Sequence, residues 1–285
     1  MDLNPTDCPF CGSKRFRTRI RAKQKEIRVC DDCGLGCRVP RTSEDEIREY
    51  YRTAYYAGHN LVFDEKRREV FRKDFDVIAA GMKPGRVLDI GCGMGHFLAF
   101  AREKGWQGTG IEPGEYAVHA AREQFGLDVR AATVEELARN GERFDLITLW
   151  NVLDHLLEPH SVVIQAAAAL APGGRLAVRS QNYAVRVFLH RVGMGFNIEF
   201  MKRNFGMYHE SVFTVRGFRR IMHDAGLAHV RLRNSALAAD VRGMTFTPRL
   251  IVACEAAAKA SYLATLGTAL LSPSLIILGE KPLLP

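Results

Sequence analysis

From Lys83 onward the sequence alternates short apolar runs with helical patterns, and this alternation restricts the fold more than any other feature. The apolar runs are 86–90, 108–112, 127–131, 144–150, 175–180, 227–233 and 274–279. Helical spacing fills 96–104, 114–125 and 159–170 between the first five. A strand that returns through a crossover helix lies parallel to the strand before it, so the pattern predicts βαβ units in a doubly wound α/β sheet. Ligands of such sheets bind beyond the carboxyl ends of the strands, which directs attention to the residues just after each run. Pro172-Gly173-Gly174 reads as a turn feeding the fifth strand.

Two shorter stretches precede this region. Residues 1–41 hold five of the seven cysteines. Residues 42–80 are charged and aromatic and read as a helical linker or lid, with a turn at Gly58-His59-Asn60. Ser43 followed by Glu46 is a capping-box signature for the first of its helices. With 47% hydrophobic and 25% charged residues, the chain is globular rather than disordered. The start carries no basic segment followed by an apolar one, so no secretory signal is expected. The longest apolar stretch, Leu250 to Leu271, is broken by Glu255 and Lys259, which argues against a membrane span. The expected setting is a reducing cytoplasm, where cysteines serve as metal ligands or buried thiols more often than disulfides.

Cys8-Pro9-Phe10-Cys11-Gly12 and Cys30-Asp31-Asp32-Cys33-Gly34 are two C-x2-C-G knuckles separated by 18 residues. Each short turn aims two thiolates at one tetrahedral ion, and the spacing is that of a four-cysteine zinc site. Cys8, Cys11, Cys30 and Cys33 are therefore the expected ligands of a structural zinc in a ribbon over residues 1–41. Cys37 reads as a spare thiol that could substitute in the site. Between the knuckles every odd position from Arg15 to Lys25 is basic. A period of two puts these cations on one face of a strand or hairpin. Such a face either grips phosphates or is a solvated face that keeps an edge from aggregating. With a net charge of +8, an anionic partner is permitted but not required. Phe16 alone is available for base stacking, which favours the solvated face.

Val87-Leu88-Asp89-Ile90-Gly91-Cys92-Gly93-Met94-Gly95 reads as a buried strand, a glycine turn and a helix start. A second strand ends in Glu112, 19 residues beyond Gly93, and an acid at that distance can accept both hydroxyls of a ribose. A nicotinamide-dinucleotide site would read G-x-G-x-x-G, whereas this loop reads G-x-G-x-G and follows Asp89. A carboxylate there opposes a pyrophosphate but suits a ligand with a cationic amine, such as S-adenosylmethionine.

These residues resemble a class I S-adenosylmethionine-dependent methyltransferase. Supporting text is Gly110-Ile111-Glu112-Pro113, Phe144-Asp145-Leu146-Ile147, Val152-Leu153-Asp154-His155, Leu170-Ala171-Pro172-Gly173-Gly174 and Phe213-Thr214 to Leu227. The resemblance extends over residues 81–285 and implies a seven-stranded Rossmann-like sheet. Its last strand would be antiparallel, inserted between the fifth and sixth. A zinc ribbon ahead of such a domain is similar to bacterial small-molecule and envelope-sugar methyltransferases. The resemblance implies that Asp89, Gly91, Cys92 and Gly93 line the methionine part. It also implies that Glu112 holds the ribose, Pro113 packs near the adenine, and Asn151 and Val152 flank the sulfonium. The adenine amine falls to Thr133, to a backbone group nearby, or to Glu135 reaching back.

Methyl transfer to a hydroxyl needs a base for its proton. His155, after the fourth strand, is the first candidate, with Asp154 able to orient it. A histidine there can equally pack or cap. His209, in Met207-Tyr208-His209-Glu210-Ser211, is the second candidate, and a polar loop is its plain alternative. Residues 183–212 carry Phe188, Phe196, Phe200, Phe205 and Tyr208 and read as a substrate lid or a dimer contact. Residues 248–272 read as an inserted helix that packs on its own domain, forms a dimer seam or faces lipid. The expected function is methylation of a small-molecule or sugar-containing acceptor, on oxygen. Its rivals are an RNA methyltransferase that uses the basic ribbon to bind nucleic acid, and a non-catalytic cofactor-binding scaffold.

Overall fold

The structure is a computed structural model that describes residues 2–22, 25–51, 65–185, 187, 209–236, 240–241, 244–245, 248–265 and 269–283. Strands β1 (Phe16–Ala22), β2 (Lys25–Cys30) and β3 (Leu35–Val39) form an antiparallel ribbon. The short helix α1 (Glu44–Glu49) follows, opened by the Ser43–Glu46 capping box, and then α2 (Glu65–Ile78). The main body contains β4 (Arg86–Ile90), α3 (His96–Glu103), β5 (Gln107–Ile111), α4 (Glu115–Phe125), β6 (Asp128–Arg130) and α5 (Val134–Arg139). It continues through β7 (Phe144–Trp150), a 3-10 turn at Leu153–His155, α6 (Pro159–Ala169) and β8 (Leu170–Gln181). Then come β9 (Ser211–Phe213), α7 (Val215–Asp224), β10 (Ala228–Asn234), the pair β11 (Asp240–Val241) and β12 (Met244–Thr245), α8 (Pro248–Ala264) and β13 (Ser274–Glu280).

Seven strands form one sheet in the order β10-β13-β8-β7-β4-β5-β6. The pairs β4/β5, β4/β7, β5/β6 and β7/β8 are parallel. β13 runs antiparallel to both β8 and β10. This is the doubly wound, seven-stranded Rossmann-like sheet expected from the sequence, with its last strand inserted antiparallel. The period of two sorts the core. Val87, Leu146, Ala177 and Ile276 face one layer, where Phe71, Phe75 and Ile78 of α2 meet Phe97, Leu98 and Phe100 of α3. Their neighbours Leu88, Ile147, Val178 and Ile277 face the other layer, with α5, α6 and α7. The second half of the 42–80 stretch is thus a packing helix of the main body.

β8 begins at Leu170, so Pro172-Gly173-Gly174 lies inside a strand and not in a turn. The register shifts between Phe144 and Leu146, Gly173 sits at φ 75°, and Gly173 N–H donates to Lys281 O at 3.0 Å. The tripeptide forms a bulge paired on both sides, which local turn chemistry alone does not distinguish from a loop.

β9 leaves the large sheet and pairs with β3, giving a four-stranded sheet β1-β2-β3-β9. Leu35 pairs with Phe213 and Cys37 with Ser211. Cys8, Phe16, Leu35 and Cys37 share one apolar cluster with α6 and α7. The ribbon is therefore built into the body and not strung ahead of it. The basic face of β1 is partly compensated within the ribbon: Arg15 pairs with Asp32, Arg17 and Arg19 share Asp31, and Arg21 shares Glu26 with Arg28. Lys23 lies outside the described residues, as do the turn at 58–60 and Phe188, Phe196, Phe200, Phe205 and Tyr208. No helix of the described residues is long and apolar enough to cross a membrane.

Candidate active site and metal centre

The two cysteine knuckles converge. Cys8 Sγ lies 3.7 Å from Cys33 Sγ, and Cys11 Sγ 3.7 Å from Cys30 Sγ. All four sulfurs fall within 4.8 Å of one another. A tetrahedral ion with metal–sulfur bonds of about 2.3 Å requires sulfur–sulfur edges of about 3.8 Å, so the cluster has the size of a structural zinc site. Contact with Cys8, together with burial, pushes the Cys33 thiol up, a cost that a dication at the centre removes. Asp32 N–H donates to Cys30 Sγ at 3.3 Å. Cys37 is fully buried between the ribbon and β9, outside the cluster.

At the carboxyl end of β4 the chain turns through Gly91, Cys92 and Gly93. Gly91 N–H and Cys92 N–H both donate to Ile111 O, at 2.8 and 3.2 Å, so the loop is stapled to the end of β5. Gly91 has φ +67°, and a Cβ there would meet Val152 at 2.6 Å. That close approach fixes Val152 against the loop. Glu112 is buried and accepts from Gly93 N–H at 3.0 Å and from Gly114 N–H at 2.9 Å. One carboxylate therefore holds the glycine loop and the start of α4 together.

Asp89 is 2% exposed, and its Oδ1 accepts from Thr148 Oγ1 at 2.7 Å. Burial pushes its carboxyl up to about 8, against the pull of the Thr148 hydroxyl and with a further push from Glu112. Thr148 faces Asp89 across the parallel β4/β7 pair. Sequence reasoning passed over it, although a lone hydroxyl in the buried run Leu146 to Trp150 is a usable signal. Burial, with Asp89 and Glu112 nearby, also pushes the Cys92 thiol up, so it stays protonated and close-packed.

Asn151 adopts φ 55°, a left-handed conformation that most residues avoid. Arg179 of β8 holds it there. Asn151 N–H donates to Arg179 O at 2.8 Å, and Arg179 Nη1 donates to Asn151 Oδ1 at 2.6 Å. Arg179 is itself paired with the buried Asp74 of α2 and with Ser235. Pro113 is exposed beside the loop. The Thr133 hydroxyl is the N-cap of α5, in a capping box with Glu136. Glu135 pairs with Arg139. Both side chains thus have partners within α5 or its cap.

His155 and His209 come together although 54 residues separate them: their ring centroids lie 4.7 Å apart. Asp154 pairs with His209, not with its neighbour His155; His209 Nε2 lies 3.1 Å from Asp154 Oδ2. Asp154 is buried with its carboxylate against His209 Nε2, and the His155 ring lies beside the His209 ring. Gln181 Nε2 lies 2.9 Å from the same ring nitrogen. His209 Nε2 thus meets both the Gln181 amide and the Asp154 carboxylate. Asp154, Ser180, Gln181, Tyr183 and His209 line a cavity at this end of β8. The donor atoms of Asp154, His155 and His209 lie within 4.8 Å of one another and could hold a metal ion. The His209–Asp154 contact is an ion-pair approach without hydrogen-bond geometry.

Residues 63–232 match the family described as a methyltransferase domain. The chain belongs to the methyltransferase-domain family. A ubiquinone biosynthesis O-methyltransferase of Hahella chejuensis is 31% identical over 187 residues, covering 63% of this chain and 74% of that protein. One of the same description from Coxiella burnetii is 28% identical over 116 residues, 39% of this chain and 50% of that protein. The methyltransferase-domain chain thus spans about half the length of the Coxiella relatives it matches. In fold it is similar to the magnesium protoporphyrin IX methyltransferase of Synechocystis with bound SAH. That match has a TM-score of 0.52 and 17% identity, over 84% of this chain and all of that one.

Proposed function

We propose that the chain transfers a methyl group from S-adenosylmethionine to an oxygen of a small-molecule or sugar-containing acceptor. One observation carries the reading. Two buried carboxylates, Asp89 and Glu112, flank a glycine loop, while the His209–Asp154 pair stands past the end of β7 in the same sheet. Asp89 suits an ammonium group, Glu112 suits a ribose diol, and neither suits a pyrophosphate. The names of the Hahella and Coxiella relatives support an oxygen acceptor. The internal pairing of Arg15, Arg17, Arg19 and Arg21, which offsets part of their charge, weighs against RNA.

The cofactor supplies an electrophilic methyl on a sulfonium whose charge vanishes on transfer. The protein's share is to align, to exclude water and to take a proton. With its proton on Nε2 facing Asp154, His209 presents the basic lone pair of Nδ1. That atom takes the acceptor hydroxyl proton as oxygen attacks, and Asp154 stabilises the resulting imidazolium. His155 packs beside the base. Val152 and Asn151, held by Gly91 and Arg179, form the wall between the loop and the dyad.

The test is incubation with deuteromethyl S-adenosylmethionine and a panel of phenols, sugar nucleotides and bulk RNA, read by mass spectrometry. Label on oxygen of a small molecule supports the proposal. Label on RNA alone, or on nothing, overturns it.

Two further results are expected. Glu112→Gln keeps the shape but loses one of two acceptor oxygens, so calorimetry should show cofactor affinity down by about 1.5 kcal/mol or more. Asp89 makes that affinity pH-dependent. Its carboxyl is raised, so the unliganded fold holds an extra proton. The associated stability is present at low pH and lost as pH rises through about 8. An ammonium ligand needs the carboxylate, so the affinity should rise about tenfold per pH unit between pH 6 and 7.5, with proton release. Asp89→Asn should bind weakly and flatten this dependence.

A further inference from the structure

The dyad is bracketed on both sides by the end of the ribbon. Glu210, next to His209, is 1% exposed. Its carboxylate accepts from Thr42 N–H at 3.0 Å and from Thr42 Oγ1 at 2.5 Å, and lies 3.5 Å from Arg38 Nη2. Its carbonyl accepts from Arg38 N–H at 3.2 Å. On the other side, Arg41, 3% exposed, donates from Nη2 to Leu157 O at 2.5 Å, three residues beyond Asp154. Ser211 Oγ closes the ring by donating to Leu156 O at 2.7 Å.

The same segment is anchored at its base to the metal knuckle. Gly34, directly after Cys33, accepts at its carbonyl from Thr214 N–H at 3.0 Å and Thr214 Oγ1 at 2.9 Å. A side chain on Gly217 would collide with the Gly34 carbonyl, so the knuckle and the start of α7 touch backbone to backbone. From Cys33 to Thr42 the ribbon runs rigidly from the cysteine cluster to both arms of the dyad.

We propose that Glu210 and Arg41, tied together by the end of the ribbon, are positioning residues that hold His209 beside Asp154. Metal loading of the ribbon then sets the geometry of the catalytic base while leaving the cofactor loop alone. This rests on the reading of His209 as the base. Contacts that only glued two units together could fall anywhere on their interface. Here they converge on the residues flanking each dyad member, where a displacement of about 1 Å costs about 100-fold in rate.

The test uses the full zinc-loaded chain with isotopically labelled histidine. The His209 ring signal is assigned by its loss in His209→Gln. In wild type the Nε2–H should exchange slowly. In Glu210→Ala, and after zinc removal by a chelator, it should exchange at least about tenfold faster, with S-adenosylmethionine affinity unchanged. Glu210→Gln, which keeps the Thr42 contacts, should recover most of the protection. On an acceptor found in the labelling experiment, Glu210→Ala should lower kcat about 100-fold with little change in KM. If Glu210→Ala fails to fold, Arg41→Lys is read in the same way. An unchanged His209 signal in the folded variant and after chelation overturns the proposal. Absence of S-adenosylmethionine binding by wild type would instead overturn the functional reading, and the ring signal would still decide the positioning.

Discussion

Cys30→Ser should strip the metal from the chain and unfold the ribbon, while the cofactor loop continues to bind its ligand. The ribbon's own core is small: Phe16, Ile20, Ile27, Val29, Leu35 and Val39 are its large buried apolar side chains. So short a segment cannot offset the ordering of its backbone by apolar burial alone. Structural zinc in small domains contributes about 10–16 kcal/mol, which makes it the dominant local term. Serine offers a harder, more weakly acidic ligand and leaves three thiolates. Metal analysis should fall from one zinc per chain to none, and hydrogen exchange should rise across β1 to β3. Calorimetry with S-adenosylmethionine should change little, because Asp89 lies in β4 and Glu112 directly follows β5, strands of the other sheet. Full zinc retention would contradict the ligand assignment.

His209→Gln should lower turnover by about 100- to 10,000-fold at unchanged cofactor affinity, the range over which a positioned base accelerates proton transfer. Glutamine keeps polarity and approximate reach but has no lone pair basic enough to take a hydroxyl proton. Asp154→Asn is the companion measurement. An amide facing Nε2 donates instead of accepting, so the ring is driven to the tautomer with its proton on Nδ1, and the base is lost although the histidine remains. His155→Ala should cost much less, since no carboxylate orients that ring. Wild-type turnover in His209→Gln would remove this residue from the mechanism, and a larger loss in His155→Ala would restore the first candidate.

The frame of the molecule was legible because it rests on periodicity. The expected runs at 86–90 and 144–150 are β4 and β7, and the alternation Val87/Leu88 sorts the two core layers as a period of two requires. The cysteine knuckles were legible because their spacing is local. What escaped was non-local. Three residues, Ser211 to Phe213, carry no periodic signal, so nothing in the chain announced that β9 would leave the main sheet for β3. The partner of Asp154 was misread for the same reason: adjacency in sequence favoured His155, while the fold delivers His209 from 55 residues away. Thr133 is a different case. Its capping-box text, Thr133 followed by Glu136, stood in the sequence and went unread.

The β3–β9 pairing also bears on how the polypeptide is made. Gly34 and its neighbours meet their final strand partner 180 residues further along. On the ribosome the ribbon hairpin must wait, one edge open, through synthesis of β4 to β8. Arg38 and Arg41, at that edge, keep it charged and hydrated in the interval, and become buried only when Glu210 and Leu157 arrive. Grafting a foreign ribbon onto this chain would therefore require carrying residues 209–217 along with it.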